Sequence, residues 1–378
     1  MIDTKRLSKT FRLLVGIDSL SGQEGAAAEE LERILKSSGA ETVFDDSSSQ
    51  TGSNTGNLIA RFPGDPSKEP LLLNAHMDTV GPGENIEVDF SDGVFSSRGK
   101  TVLGADDKAG VAILIETLQV LSENRLPHPP LELVFTVCEE IGLVGAKHLD
   151  YSLLKARRGY CLDASGRGLL VTRAPAANRL TFTVSGKSAH AGIEPEKGIS
   201  AIRTAARAIA GLDLGRIDDE TTCSIGIIQG GTASNIVPDR VRIEGEARSH
   251  DPEKLETVTQ KMVAAFEDAA REVREEIGDD RLPFSEASVE PDFPPIHIPD
   301  SHPVVQTALQ AAAGLGIPLQ TARAGGGSDA NIFCSKGIDA AVIAIGMTNP
   351  HTCDEFIALD DMAQIVRLLT EIAKELAS

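Results

Sequence analysis

The sequence predicts an α/β fold with a mostly parallel sheet and helices on both faces, interrupted by an inserted α+β domain. Three observations point there. Short apolar runs alternate with longer segments of helical period, the pattern of a parallel α/β domain. Near Leu180 the texture changes to alternating, half-exposed strands, and the α/β texture returns after residue 300. The chain has 378 residues, more than one hydrophobic core usually serves.

In chain order, "PLLLNAHMD" reads as a strand and "DKAGVAILIETLQVLSE" as an amphipathic helix. "LELVFTVCEE" and "RGYCLDA" are the next strands. "RLTFTVSGKSAH" then alternates like a strand with one wet face, and "ISAIRTAARAIAGL" is helical. "CSIGIIQGGTASNIVPDRVRIEGEARSHD" gives two strands around a Gly/Asn/Pro turn, and residues 252–277 form a long charged helix whose 267–280 end is a solvated face. "LPFSEASVEPDFPPIHIPDSHP" is rich in proline and polar residues, as a domain crossing often is. Helix 302–315, strand 318–323, helix 328–336, strand 340–346 and helix 359–376 follow. The resulting domains are 1–173 with 296–378, and an insert at 174–295. "DDSSSQTGSN" (45–54) is expected to be a polar surface loop.

Composition excludes several classes of function. The absence of Trp and the presence of only two Tyr leave no stacking platform for single-stranded nucleic acid. A formal net charge of −20 repels phosphate backbones and anionic membranes. The N-terminus lacks the pattern of a signal peptide, and no apolar run is long enough to span a bilayer. Five scattered cysteines without a CxxC pair suit a reducing cytoplasm.

The chemistry lies where apolar strands stop. After 71–75 come His76 and Asp78; after 131–137 come Glu139 and Glu140; after 160–162 comes Asp163; after 341–346 comes the loop carrying His351. Asp106 and Asp107 of "GADDKAG" stand where a loop opens a helix. Any one of these alone would read as a cap, a solvated pair or a surface histidine. Ligands in open α/β sheets bind beyond the carboxyl ends of the strands, and these ends all deliver imidazole or carboxylate to one rim. His76 and Asp78, two apart, can face the same way, so Asp78 can accept the N–H of an imidazole whose other nitrogen binds metal. Adjacent Glu139 and Glu140 diverge, so one can bind metal while the other faces a water and takes its proton. Two His, two Asp and one Glu suit a pair of zinc-like ions bridged by a carboxylate and a water.

At these residues the chain resembles the two-metal exopeptidases that include peptidase T, carboxypeptidase G and aminoacylase. The motifs "HMD", "GADDK", "CEE", "LDA", "GKSAHAG", "GGTASNIVPD", "EARSHD", "GGGSDAN" and "NPHTCDE" occur in the family's order over essentially the whole chain. The resemblance implies a phosphorylase/hydrolase-like zinc exopeptidase fold with a ferredoxin-like lid that also serves dimerisation. It places His76 and Asp163 on one metal, Glu140 and His351 on the other, and Asp106 between them. Glu139 becomes the general base and Asp78 the residue that orients His76. In the lid, His190 resembles an oxyanion-supporting residue, Asn235 and Arg248 resemble substrate-gripping residues, and Gly326 and Gly327 resemble a loop along the substrate backbone. After "LD" this chain runs straight into the lid where peptidase T carries a longer acidic stretch, which places it in a shorter peptidase T-like branch.

The expected activity is therefore two-metal hydrolysis of an amide bond near the end of a short peptide, in a homodimer formed through the lid. Zinc is the expected metal, and the same ligands suit manganese or cobalt. Deacylation of N-acyl amino acids is the alternative substrate reading. A non-catalytic metal- or peptide-binding protein is the alternative class, and the presence of Glu139 disfavours it. A dinucleotide-binding enzyme is excluded because the first strand–helix turn lacks GxGxxG.

Overall fold

Four neighbouring parallel strands form the centre of the first unit's sheet. Leu131–Thr136, Leu71–His76, Arg158–Ala164 and Asp339–Ala344 lie side by side in that order, each parallel to the next. Every residue of Leu71–His76 and Leu131–Thr136 is buried, so both faces of the sheet are covered there. Antiparallel strands Leu58–Phe62 and Glu41–Phe44 extend one side. Leu169–Ala174, Ile296–His297 and Gln320–Arg323 extend the other.

Helix Ala105–Glu123 packs on Leu71–His76 and Arg158–Ala164, between helices Thr4–Val15 and Leu359–Ala377. It is buried along nearly its whole length rather than on one stripe, because helices and sheet enclose it on several sides. Its one deeply buried acid beyond the first turn, Glu116, is matched by Arg6 at 2.7 Å.

This computed structural model describes residues 2–378 and divides into two units. One comprises the chain up to Arg173, Ile296–Ala324 and Ser328–Ser378; the other is Ala174–Pro295 together with Gly325–Gly327. Gly327 packs where a Cβ would lie 2.6 Å from the Phe293 ring, which ties the glycine loop to the second unit.

The second unit runs strand Ala176–Ser185, helix Ala201–Ala210, strands Thr221–Gly230 and Arg240–Ser249, helix Pro252–Ile277 and strand Phe284–Phe293. The first strand lies between the third and the last in an antiparallel sheet, which is the ferredoxin-like arrangement. Alternation puts Leu180, Phe182, Val184, Val241 and Ile243 into its core against Ala205, Met262 and Phe266. Phe182 and Phe266 stack at 4.1 Å. The long helix starts on Asp251, which accepts the N–H groups of Glu253 and Lys254 ahead of Pro252, and ends on Gly278 at φ 69°.

Two expectations change. The 45–54 segment is not a simple surface loop: Asp45, Ser47 and Ser53 are buried, and a helical turn occupies Ser48–Thr51. Cys138 lies just past its strand, at φ 53°, in the turn that carries Glu139. Among the described residues, no helix is long and apolar enough to cross a membrane.

Candidate active site

The carboxyl ends of the four central strands converge at one rim. His76 is the last residue of its strand and is 2% exposed. Its Nε2 stands 3.1 Å from Asp106 Oδ1 and 4.0 Å from Asp163 Oδ1. His351 comes from the loop after Asp339–Ala344, with its backbone at φ 64°. Its Nε2 lies 3.1 Å from Asp106 Oδ2 and 2.9 Å from Glu140 Oε2. The Asp106 carboxylate therefore stands between two imidazoles, one oxygen toward each. His76, Asp106 and Glu140 hold ligand atoms within 4.8 Å of one another, and so do His76, Glu139 and Asp163.

Asp78 is completely buried at the same rim, but its contact with His76 differs from the expected one. His76 Nδ1 is 2.9 Å from the backbone carbonyl of Asp78 and 3.5 Å from its carboxylate Oδ1. The carboxylate instead accepts the backbone N–H of Glu139 at 3.0 Å, that of Glu140 at 3.2 Å and the Ser21 hydroxyl at 2.7 Å. Backbone and side chain of one residue thus serve the histidine and the glutamate pair together.

The electrostatics fit a bound cation. Burial pushes the carboxyls of Glu139 and Asp163 well above the ordinary carboxylate range; the Asp163 charge adds to the shift of Glu139, and the charges of Asp106 and Glu140 add to that of Asp163. Burial also raises Glu140. Burial opposes ionisation of Asp106 as well, yet hydrogen bonds from His351 and His76 hold its carboxyl below the usual value. Burial disfavours a charged His76, but Asp106 and Asp78 outweigh it and raise the imidazole. Asp106 and Glu140 raise His351 to about 10. Among the described residues, no lysine or arginine pairs with Asp106, Glu139, Glu140 or Asp163. Buried carboxylates converging with two imidazoles and without a lysine or arginine partner form a donor set suited to divalent metal.

In the second unit, the predicted residues fall into two groups. His190 bridges Ile236, and Ala191 N–H donates to Asn235 O at 2.9 Å, so His190 and Asn235 stand on paired, exposed loops. Arg248 lies at the glycine loop, where a Cβ on Gly326 would be 3.6 Å from its Nη1. Its Cζ sits 5.8 Å from the Phe293 ring centroid, and its Nη2 donates to Glu246 at 2.8 Å. Arg248 Nε is buried without a hydrogen-bond partner.

Several contributors received no role from the sequence, and of these only Asp107 was singled out there, beside Asp106. Glu355 is 1% exposed; its Oε2 accepts the N–H groups of Leu103 at 2.8 Å and Gly104 at 2.7 Å, and its Oε1 accepts that of Asp106 at 3.0 Å. Burial raises its carboxyl to about 7. Asp107 Oδ2 accepts the backbone N–H of His76 at 3.2 Å. Lys108, pushed down to about 7 by burial, donates to Ile17 O at 2.6 Å. Asp329 accepts from Thr136 and keeps Oδ1 buried without a partner. Glu355 follows closely on His351 in "NPHTCDE", but nothing in the string marks it as buried.

Residues 72–375 match the family described as Peptidase family M20/M25/M40. The chain is 40% identical to an aminopeptidase PepT from Bacillus cereus ATCC 10987, covering 100% of both chains with a TM-score of 0.87. It is 38% identical to a tripeptidase from Staphylococcus aureus subsp. aureus mu50, over 100% of this chain and 99% of that one, with a TM-score of 0.92. Peptidase T of Escherichia fergusonii is 27% identical over 285 residues, 74% of this chain and 67% of that protein.

Proposed function

The chain belongs to peptidase family M20/M25/M40, and from that premise we propose that it releases a terminal residue from short peptides, with Glu139 moving the proton. It is a metal-dependent exopeptidase that uses two divalent ions. The observation that supports the site assignment most is the Asp106 carboxylate, with one oxygen toward His76 and the other toward His351.

We assign His76 and Asp163 to one ion, Glu140 and His351 to the other, and Asp106 to both, with zinc as the metal. When bound, such ions supply positive charge that polarises the scissile carbonyl and acidifies water. Glu139, the neighbouring carboxylate, takes the proton of the attacking water and returns it to the leaving amine. Burial suits it to that work, because a raised pKa lets one carboxyl act as base and then as acid near neutrality. Asp78 holds the backbone of the Glu139–Glu140 pair and orients His76.

His190 and Asn235 are the candidates for supporting the oxyanion and gripping the substrate. Arg248, with its unpartnered buried Nε beside Gly326 and Gly327, is the candidate for binding a substrate carboxylate. Such a contact favours di- and tripeptides. A homodimer through the second unit is supported by strand Thr221–Gly230, which the two-residue strand Gly215–Arg216 pairs only at Thr222 and Cys223. Ile227 and Ile228 of that strand are 46% and 52% exposed. A reducing cytoplasm suits its five free cysteines.

The test is hydrolysis of a panel of di- and tripeptides beside N-acetyl amino acids, using metal-stripped protein reloaded with Zn, Mn or Co. Peptides with a free amino terminus are expected to be cleaved best. Preference for the acetylated compounds would overturn the peptidase reading. A Glu139→Ala protein that binds both metals and keeps full turnover would remove Glu139 from the mechanism.

A further inference from the structure

Where strand Leu131–Thr136 ends, the next four backbone N–H groups leave the sheet, and each is taken by a buried side-chain oxygen. Val137 N–H donates to Asn57 Oδ1 at 3.1 Å and Cys138 N–H to Glu24 Oε1 at 2.9 Å. Glu139 N–H donates to Asp78 Oδ1 at 3.0 Å and Glu140 N–H to Asp78 Oδ2 at 3.2 Å. The acceptors come from three separate stretches of chain, and Glu24, Asn57 and Asp78 are each 0% exposed. Buried amides must be paired, and a backbone or water partner could have done it. Three fixed side chains instead define where the turn lies.

Those side chains are themselves held. Glu24 Oε1 also accepts Gly22 N–H at 2.9 Å, and Oε2 accepts the Ser53 hydroxyl. Asn57 Nδ2 donates to Asp45 Oδ2 at 2.9 Å and to Gly145 O at 3.0 Å. The turn they grip contains Cys138 at φ 53°, a conformation that a non-glycine residue keeps only where its surroundings enforce it. Beyond it, Leu143 N–H closes on Glu139 O at 2.7 Å.

We propose that Glu24 and Asn57 are positioning residues for the Glu139–Glu140 pair, completing with Asp78 a side-chain clamp on four consecutive amides. Through it the N-terminal "SGQEG" segment and the 45–57 segment set the direction in which the two glutamates leave the turn. The inference rests on Glu139 being the proton-transfer group.

The test compares Glu24→Ala with Glu24→Gln at saturating zinc. It reads kcat, KM and hydrogen exchange, with exchange followed in metal-free and zinc-loaded protein. Glu24→Ala is expected to lower kcat about 30-fold with KM within about twofold, since it misplaces a proton-transfer group rather than a binding group. Exchange of the 137–142 amides should rise at least about tenfold while helix Ala105–Glu123 stays protected. Glu24→Gln should restore kcat to within about threefold, because its amide oxygen can take the two N–H groups and its NH2 can donate to Ser53. If Glu24→Ala does not fold, Glu24→Asp, which keeps the charge but withdraws the oxygen, carries the same expectations. Unchanged kcat in a folded Ala or Asp variant, equal losses in Gln and Ala, or faster exchange spread evenly over the chain would each overturn the proposal. Glu139→Ala is measured alongside: activity there would defeat the base assignment, while the exchange data would still decide the clamp.

Discussion

Glu355 offers a demanding test of how the site is held. Its carboxylate is the acceptor for three buried backbone N–H groups, those of Leu103, Gly104 and Asp106, and it is almost fully inaccessible. Glu355→Ala leaves all three without an acceptor. A buried amide stripped of its partner costs about 1–3 kcal/mol, so at the lower half of that range the loss comes to about 3–6 kcal/mol. That is a large part of the about 5–15 kcal/mol by which a typical domain is stable. Glu355→Gln keeps one oxygen for the Leu103 and Gly104 pair and turns an NH2 toward the Asp106 N–H, a loss of about 1–3 kcal/mol. Because the third amide is that of Asp106, zinc affinity should fall about tenfold or more in the Ala variant, as for other groups that orient a ligand. Urea unfolding of metal-free protein at neutral pH, followed by zinc titration of the folded form, measures both. A Glu355→Ala protein within about 1 kcal/mol of the parent, or a Gln variant as damaged as the Ala variant, would refute the reasoning.

Further outcomes follow from the same geometry. His76→Ala should lose one metal, whereas Asp78→Asn should keep both and lower kcat about 10- to 100-fold; metal analysis beside kinetics separates them. In metal-free protein, stability should fall as pH rises from 5 to 8. The folded-state values of Glu139, Asp163, His76 and His351 are raised, so the folded chain holds more protons there than the unfolded chain does. Asp78 and Asp106 are lowered instead, and their contributions change only below about pH 4. Zinc should bind with release of protons and flatten this profile, as calorimetry in buffers of different ionisation enthalpy would show; zinc binding without proton release would contradict it. Gly327→Ala should destabilise the second unit by about 1–3 kcal/mol, because its Cβ would meet the Phe293 ring at 2.6 Å; an unchanged melting profile would count against that packing.

Much of the fold and the rim of imidazoles and carboxylates could be read from the string itself. Apolar runs that stop on His76, Glu139, Asp163 and the His351 loop state their own geometry, because parallel strands deliver their ends to one edge. The spacing of His76 and Asp78 indicated a shared task, and the α+β insert announced itself by its change of periodicity. What the string could not show is which polar residues would be buried. Asp45, Ser47 and Ser53 looked like surface loop, and nothing marked Glu24, Asn57 or Glu355 as buried. Their importance comes from amides that leave the sheet far away in sequence and must find an acceptor. Asp78 shows the division most plainly. Its place behind His76 followed from the chain, whereas its carboxylate's grip on the amides of Glu139 and Glu140 arose only when two strands lay side by side. Periodicity and strand ends are local properties, so the sequence alone determined the fold class and which imidazoles and carboxylates gather at the rim. Hydrogen-bond satisfaction of buried backbone is a property of the packed whole, and only the tertiary structure decided which side chains hold the rim residues in place.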